Sequence, residues 1–117
     1  MAITEPFTGT HVVTTATEWS CTTDTAGPDL ETSDGVFQLF LDVNDMITGD
    51  ELAIKIYEKC RTGDTQRVIY QSNLVGPQSP PTWVSPSLIL LNGWDMTLNQ
   101  IAGTANITVL WSIRKVA

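Results

Sequence analysis

Residues 36–43 read Val36-Phe37-Gln38-Leu39-Phe40-Leu41-Asp42-Val43, and their apolar side chains recur at every second position. Phe37, Leu39 and Leu41 share one face of an extended chain, because successive side chains of a β-strand point to opposite sides. A helix would instead repeat its apolar residues every three or four positions. The stretch therefore predicts a strand with one face against a core.

The same two-residue rhythm continues toward the C-terminus. Residues 51–60 and 66–75 alternate through Leu52, Ile54 and Ile56 in the first segment and Val68, Tyr70, Ser72 and Leu74 in the second. Gly63 lies in the link between them, where glycine can adopt the positive φ that a tight turn requires. These segments predict a β-hairpin.

A second hairpin is predicted near the end of the chain. Its first strand carries Trp94, Met96 and Leu98 on one face, and its second, residues 106–116, carries Ile107, Val109, Trp111 and Ile113. The run Ser87-Leu88-Ile89-Leu90-Leu91 is apolar throughout, which is typical of a strand covered on both faces. The Asn92-Gly93 dipeptide after it favours a turn.

The N-terminal third reads as two threonine-rich strands, residues 9–15 and 18–23, followed by a loop at residues 24–34. Residues 76–86 hold four of the six prolines, and proline removes the backbone donor that a central strand needs. About eight antiparallel strands without an amphipathic helix predict an all-β, single-domain β-sandwich over residues 1–117. The topology is jelly-roll-like or, alternatively, immunoglobulin-like, and residues 1–7 are expected to form an extended N-terminal arm.

Composition narrows the classes of function. The net charge is -7, with eleven of the thirteen acids in residues 1–58 and five of the six bases in residues 59–117. Nucleic acid binding depends on neutralising phosphates, so direct binding to DNA or RNA is not expected. Opposite potentials on the two halves favour a homo-oligomer. We expect no membrane span and no export signal, and hence synthesis in a cytoplasm.

The residues that could carry chemistry are sparse. Cys21 and Cys60 are expected to stay reduced, and His11 is the only histidine, so a zinc site lacks ligands. Asp42, Asp45 and Asp50 lie near one another in sequence, which leaves a small hydrolase as a rival interpretation. A loop between adjacent strands favours capping roles for these acids. We therefore expect no enzyme activity, catalytic residue, cofactor or metal.

Two loop features remain open at this stage. The loop at residues 24–34 contains four acids, Asp24, Asp29, Glu31 and Asp34. A solvated acidic loop is the favoured interpretation of these acids, with a calcium site as the alternative. Trp83 lies in the proline-rich segment, whereas Trp94 and Trp111 fall on apolar faces. Trp83 is expected to act as an interface anchor or lid, with a sugar-stacking platform as the alternative.

Four segments resemble a known group of proteins: Asp34-Gly35-Val36-Phe37-Gln38, Ser79-Pro80-Pro81-Thr82-Trp83, Asn92-Gly93-Trp94-Asp95 and Trp111-Ser112-Ile113-Arg114-Lys115. With them the chain resembles small structural proteins of tailed bacteriophages, in particular head decoration, or cement, proteins. The resemblance implies a compact β domain, often trimeric, on the outer capsid of a virion. It implies the major capsid protein as partner and supplies no active site.

The segments expected to contact that partner are residues 1–7, 24–34 and 76–86. The side chains predicted at the interface are Phe7, Asp29, Glu31, Pro80, Pro81 and Trp83. Prolines stiffen a loop and lower the entropy lost when it docks. The main rival function is a phage tail or adhesin module that binds host-surface carbohydrate through Trp83.

Overall fold

The computed structural model describes residues 2–116, which contain nine β-strands. The strands are β1 Ile3–Val13, β2 Trp19–Ser20, β3 Gly35–Asp42, β4 Glu51–Glu58, β5 Arg67–Val75, β6 Thr82–Val84, β7 Leu88–Leu90, β8 Asp95–Ala102 and β9 Ile107–Val116. Within this part of the chain no helix is long and apolar enough to cross a membrane.

The strands form two antiparallel sheets. One has the order β1-β9-β3-β6 with β7 also paired to β3, and the other has the order β2-β8-β4-β5. The pairing is nested, since β1 meets β9, β2 meets β8, β3 meets β6 and β7, and β4 meets β5. A long hairpin rolled up in this way is a jelly roll, and the strand order differs from that of an immunoglobulin domain.

The core lies between the two sheets and is built from the alternating residues that the sequence indicates. β3 contributes Phe37, Leu39 and Leu41, which belong to the same buried cluster as side chains of β4 and β8 in the opposite sheet. The largest fully buried side chains are Trp94, Phe37, Leu39, Leu41, Leu52, Ile54, Ile56, Leu90, Met96, Leu98, Ile107 and Ile113. The predicted β-sandwich is therefore confirmed, with nine strands in place of about eight.

Three segments differ in detail from expectation. Residues 3–7 are extended and begin β1, where Ile3 pairs with Val116 of β9 and Phe7 with Ile113; Met1 lies outside the described residues. The segment 76–86 contains no central strand but does contain a short edge strand, β6, which pairs with β3. Val68 does not share a face with Tyr70, because a bulge between Ile56 and Tyr57 shifts the register.

The apolar run at residues 87–91 also differs from expectation. Leu90 is fully buried, but Ile89 is 82% exposed and Leu91 is also exposed. The segment forms β7, a strand of three residues at the edge of the five-stranded sheet, and only its inner face is covered. The prediction of a strand covered on both faces is therefore wrong.

The two thiols and the single histidine have separate environments. Cys21 is buried, Cys60 is exposed and both are free. His11 stacks on the Trp19 ring with 3.8 Å between centroids. Burial lowers the pKa of His11, and the carboxylate of Asp24 opposes that shift.

Candidate functional site

The outer face of the five-stranded sheet carries an apolar row that crosses four strands. Ile3 of β1 is opposite Val116 of β9, Val116 is opposite Val36 of β3, and Val36 is opposite Ile89 of β7. Directly opposite residues share a face of the sheet. Ile89 and Ile3 are 82% and 70% exposed, so these apolar side chains face solvent together.

Two further rows lie along the same face. One runs through Thr8, Ser112, Phe40 and Val84, and the next through Thr10, Leu110, Asp42 and Thr82. Leu110 and Val84 are exposed. The side chains of these rows border an open groove of about 440 Å³. We call this surface, from Ile3 and Ile89 at one end to Leu110 at the other, the apolar face.

Two charged side chains contact uncharged side chains of the apolar face. The Arg114 guanidinium lies 3.7 Å from the centre of the Phe40 ring, a distance typical of a cation–π contact. Ser112 donates a hydrogen bond to Glu5. Arg114 thus covers one side of an aromatic ring, while Leu110, Val84 and Ile89 remain uncovered.

The outer face of the four-stranded sheet is polar and is partly covered by the chain itself. Asp95 is fully buried there, and its carboxylate accepts hydrogen bonds from Asp29 N at 2.8 Å, Thr22 Oγ1 at 2.9 Å and Met96 N at 2.8 Å. Burial raises the pKa of Asp95, although these donors oppose the shift. The carboxylate holds the loop after β2 against β8.

A second carboxylate extends this polar network. Glu18 accepts hydrogen bonds from Thr97 Oγ1 at 2.6 Å and from the Tyr57 hydroxyl. Burial, followed by the hydrogen bond to Glu18, raises the pKa of the Tyr57 phenol. Tyr57 and Thr97 are buried on this outer face, so the network acts as an internal contact of the fold.

The acids of the 24–34 loop have separate local partners. Asp24 accepts a hydrogen bond from Trp19 Nε1 at 2.9 Å, and Asp29 accepts from Thr23 and Thr25. Glu31 accepts from the backbone N–H groups of Thr32 and Ser33. Among residues 2–116 no group of three or more His, Cys, Asp or Glu side chains is arranged to hold a metal ion.

The three acids considered for a hydrolase, Asp42, Asp45 and Asp50, also accept hydrogen bonds from backbone N–H groups near them. Asp45 accepts a hydrogen bond from Thr108 N at 2.7 Å, and Asp50 accepts from Ile47 N at 2.9 Å. Asp42 caps the turn after β3 by accepting from Asn44 N. These contacts tie loops at one end of the sandwich to the strands beside them.

The six residues predicted at an interface are not brought together. Phe7 is half-buried with its ring edge-on to Trp94, 6.1 Å between centroids. Asp29 and Glu31 hold the loop after β2. Pro80 and Pro81 are exposed, and Trp83 is half-buried near the Tyr70 ring. Only Trp83 lies at the groove of the apolar face.

The residues of the apolar face were not predicted from the sequence as one surface, because they belong to different strands. A signal for two of them is present in the sequence, since Phe40 and Leu110 are apolar residues at positions that alternate with the core set. An apolar side chain on the outward phase of a strand indicates a second surface to be covered.

Comparison with known proteins gives a fold but no family. No protein-family model and no curated protein sequence matches the chain. Among solved structures, a crystal structure of PirA is similar at a TM-score of 0.55 with 11% identity, covering 92% of this chain and 93% of that one. The Eiger TNF structure from S. frugiperda has a TM-score of 0.44 with 10% identity, covering 95% and 86%. The PirA likeness supports the all-β sandwich architecture.

Proposed function

We propose that this protein is a non-enzymatic structural protein that binds the outer surface of a larger protein shell through its apolar face. The observation that carries the proposal is the apolar row of Ile3, Val116, Val36 and Ile89 across four strands, in which the two outer residues, Ile3 and Ile89, are exposed and the two valines are half-buried. Removing such a surface from water is favourable at about 25 cal/mol per Å². Exposed apolar side chains grouped on one face in this way mark an interaction site.

The size and shape of the apolar face fit a protein partner. Four strands about 4.8 Å apart and residues rising about 3.3 Å each give, over the eight residues of β3, a flat area of about 500 Å². Side chains raise the accessible area above this projection, toward the roughly 800 Å² per partner of a standard protein interface. The groove on this face includes neither Ile3 nor Ile89, so the face as a whole fits another protein surface better than a small ligand, which binds in a concave pocket.

The finer assignment is a capsid decoration, or cement, protein of a tailed bacteriophage, with the major capsid protein as partner. It is supported by the resemblance of the chain to such proteins and by the apolar face. A protein that binds only the assembled shell stabilises that shell by mass action, because its binding free energy is lost when the shell opens. This function needs a rigid docking surface and no reacting groups.

The proposal is tested by particle binding. Virus particles that lack this chain are incubated with the purified wild-type protein, the Ile89→Lys variant or the Thr65→Lys variant, and bound copies are counted after sedimentation. Ile89 and Thr65 are both exposed, so each variant adds one lysine to the surface. We expect wild type and Thr65→Lys to bind equally and Ile89→Lys to bind at least about tenfold more weakly, a loss of about 1.4 kcal/mol.

Electron microscopy of the same particles locates the protein. Regularly repeated density over the whole head supports the decoration function. Density confined to the tail tip would instead favour the carbohydrate-binding adhesin, and equal binding by Ile89→Lys and wild type would exclude the apolar face as the docking surface.

A further inference from the structure

The two sheets end in four edges, and three of them are protected against pairing with another chain. β1 contains Pro6 and a register shift between Thr4 and Phe7. β2 has two residues, and its free side is bonded to the chain's own loop through Ser20 N to Thr25 O at 2.8 Å. β6 and β7 have three residues each. Short strands, prolines and covering loops are the usual protections of sheet edges.

The fourth edge, β5, has a bulge near Val68 but is regular from Tyr70 to Val75, where it lacks these protections. Among the described strands β5 pairs only with β4, and its nine residues, RVIYQSNLV, include no proline or glycine and one charge, Arg67. Val68, Ile69 and Val75 are exposed. A long edge strand of high β-propensity presents a row of unpaired backbone donors and acceptors. Such an edge is a template for one more strand.

We propose that β5 pairs with β5 of a second copy of this chain, antiparallel across a two-fold axis. The two four-stranded sheets then form one continuous sheet of eight strands. A two-fold axis brings the same surface of both copies together. The interface lies on the opposite sheet from the apolar face, so it does not depend on the proposed shell binding.

The side chains of β5 select the register. The bulge near Tyr57 leaves a regular ladder from Tyr70 to Val75, and an axis at Ser72 uses this ladder on both copies. Opposite residues then match by chemistry, with Tyr70 beside Leu74 of the second copy on the inner side and Gln71 beside Asn73 of the second copy on the outer side. An axis at Asn73 would leave Tyr70 opposite Gly76, beyond the end of the strand.

Two details favour a second copy as the occupant of this edge. The Asn73 side chain already donates its amide N–H to Glu51 at 3.1 Å, which leaves its carbonyl oxygen to accept from Gln71 of the second copy. β5 has no acid, so two copies of a protein with net charge -7 meet here without carboxylates directly opposed. The antiparallel arrangement also places the two Arg67 side chains at opposite ends of the ladder.

Cysteine cross-linking tests the axis directly. In a Cys60→Ser background, which removes the exposed thiol, Ser72→Cys places two thiols at the axis. Opposite residues of an antiparallel pair have Cα atoms about 4.5–5.5 Å apart, within the range of about 4.4–6.8 Å for disulfides. We expect mild oxidation to give a disulfide-linked dimer. Thr65→Cys in the same background, in the exposed turn before β5, is expected to stay monomeric.

Sedimentation of unmodified protein provides a test free of cysteine chemistry. Wild type is expected to shift from monomer to dimer as its concentration rises, and Ser72→Lys to stay monomeric, because like charges directly opposite each other destabilise a strand pair. Tryptophan fluorescence checks that Ser72→Lys is folded. A wild-type protein that is monomeric at every concentration overturns the proposal. So does Asn73→Cys cross-linking in preference to Ser72→Cys, since the axis then lies elsewhere.

Discussion

The outer faces of the two sheets differ in what covers them. On the four-stranded sheet, Asp95 and Thr97 are buried under the chain's own loop and hydrogen-bonded to it. On the five-stranded sheet, Ile89, Ile3 and Leu110 face solvent. The four-stranded sheet is thus covered at β8 within the molecule, whereas the apolar face is not covered. The difference indicates that, of these two surfaces, the apolar face is the one available to a partner.

The outer face of the four-stranded sheet around Asp95 and Thr97, which we call the covered face, depends on buried polar groups. Their hydrogen-bond partners are brought together only in the folded chain. A buried donor or acceptor left without a partner costs about 1–3 kcal/mol, whereas a satisfied hydrogen bond contributes about 1 kcal/mol. The loop after β2 is therefore held specifically, since other positions would leave Asp95 unpaired. The apolar face has no comparable directional demand, and its burial depends on area and shape.

The largest expected effect comes from removing the hydrogen bonds that Asp95 accepts on the covered face. Asp95→Ala removes the acceptor of Asp29 N, Thr22 Oγ1 and Met96 N. We expect the free energy of unfolding to fall by about 3 kcal/mol or more, because buried donors lose their partner. Urea denaturation followed by tryptophan fluorescence measures the change.

The control for Asp95→Ala lies in the 24–34 loop, which Asp95 holds through Asp29 N. Asp34 is exposed, and Asp34→Ala removes the same charge without removing a buried acceptor. Surface substitutions of this kind change stability by about 0.5 kcal/mol or less. Equal losses in the two variants would contradict a structural role for the buried carboxylate.

The next largest effect is expected in β7, where two adjacent residues differ in burial and can be truncated separately. Leu90 is fully buried and Ile89 is 82% exposed. Leu90→Ala is expected to lower the free energy of unfolding by about 2–5 kcal/mol, since it removes core contacts and leaves a cavity. Ile89→Ala is expected to change it by about 0.5 kcal/mol or less. Comparable losses, measured by the same urea titration, would mean that Ile89 is covered within the monomer.

The core strands were predictable from the sequence because the alternation of apolar residues that identifies a strand lies within that strand. Alternation at residues 36–43 predicted a strand, and β3 occupies Gly35–Asp42 with Phe37, Leu39 and Leu41 buried. β4 and β9 follow the same rule, and β5 follows it from Tyr70 to Val75. A period of two residues reports which side chains face the core, and that is sufficient to assign a sandwich.

The apolar face was not predictable, because it is assembled by pairing between distant strands. Ile3 and Val116 lie at opposite ends of the sequence yet are cross-strand partners. β6 was missed because prolines argue against a central strand, whereas an edge strand of three residues tolerates them nearby. The exposure of Ile89 depends on β7 lying at an edge, which the apolar run alone does not indicate.

The smallest expected effect is a pH dependence of the covered face. Burial raises the pKa of Asp95 in the folded state above its ordinary value of 3.8, so the folded protein binds the proton more readily than the unfolded chain does. By linkage, the stability due to this group rises as pH falls through the folded-state pKa, is complete below the unfolded pKa, and is lost as pH rises.

Asp95→Asn cannot titrate, so the difference in unfolding free energy between wild type and Asp95→Asn isolates this group. We expect that difference to shift in favour of wild type between pH 7 and pH 4, in urea titrations at matched salt. A shift toward Asp95→Asn would mean that the three donors outweigh burial and hold the carboxylate ionised.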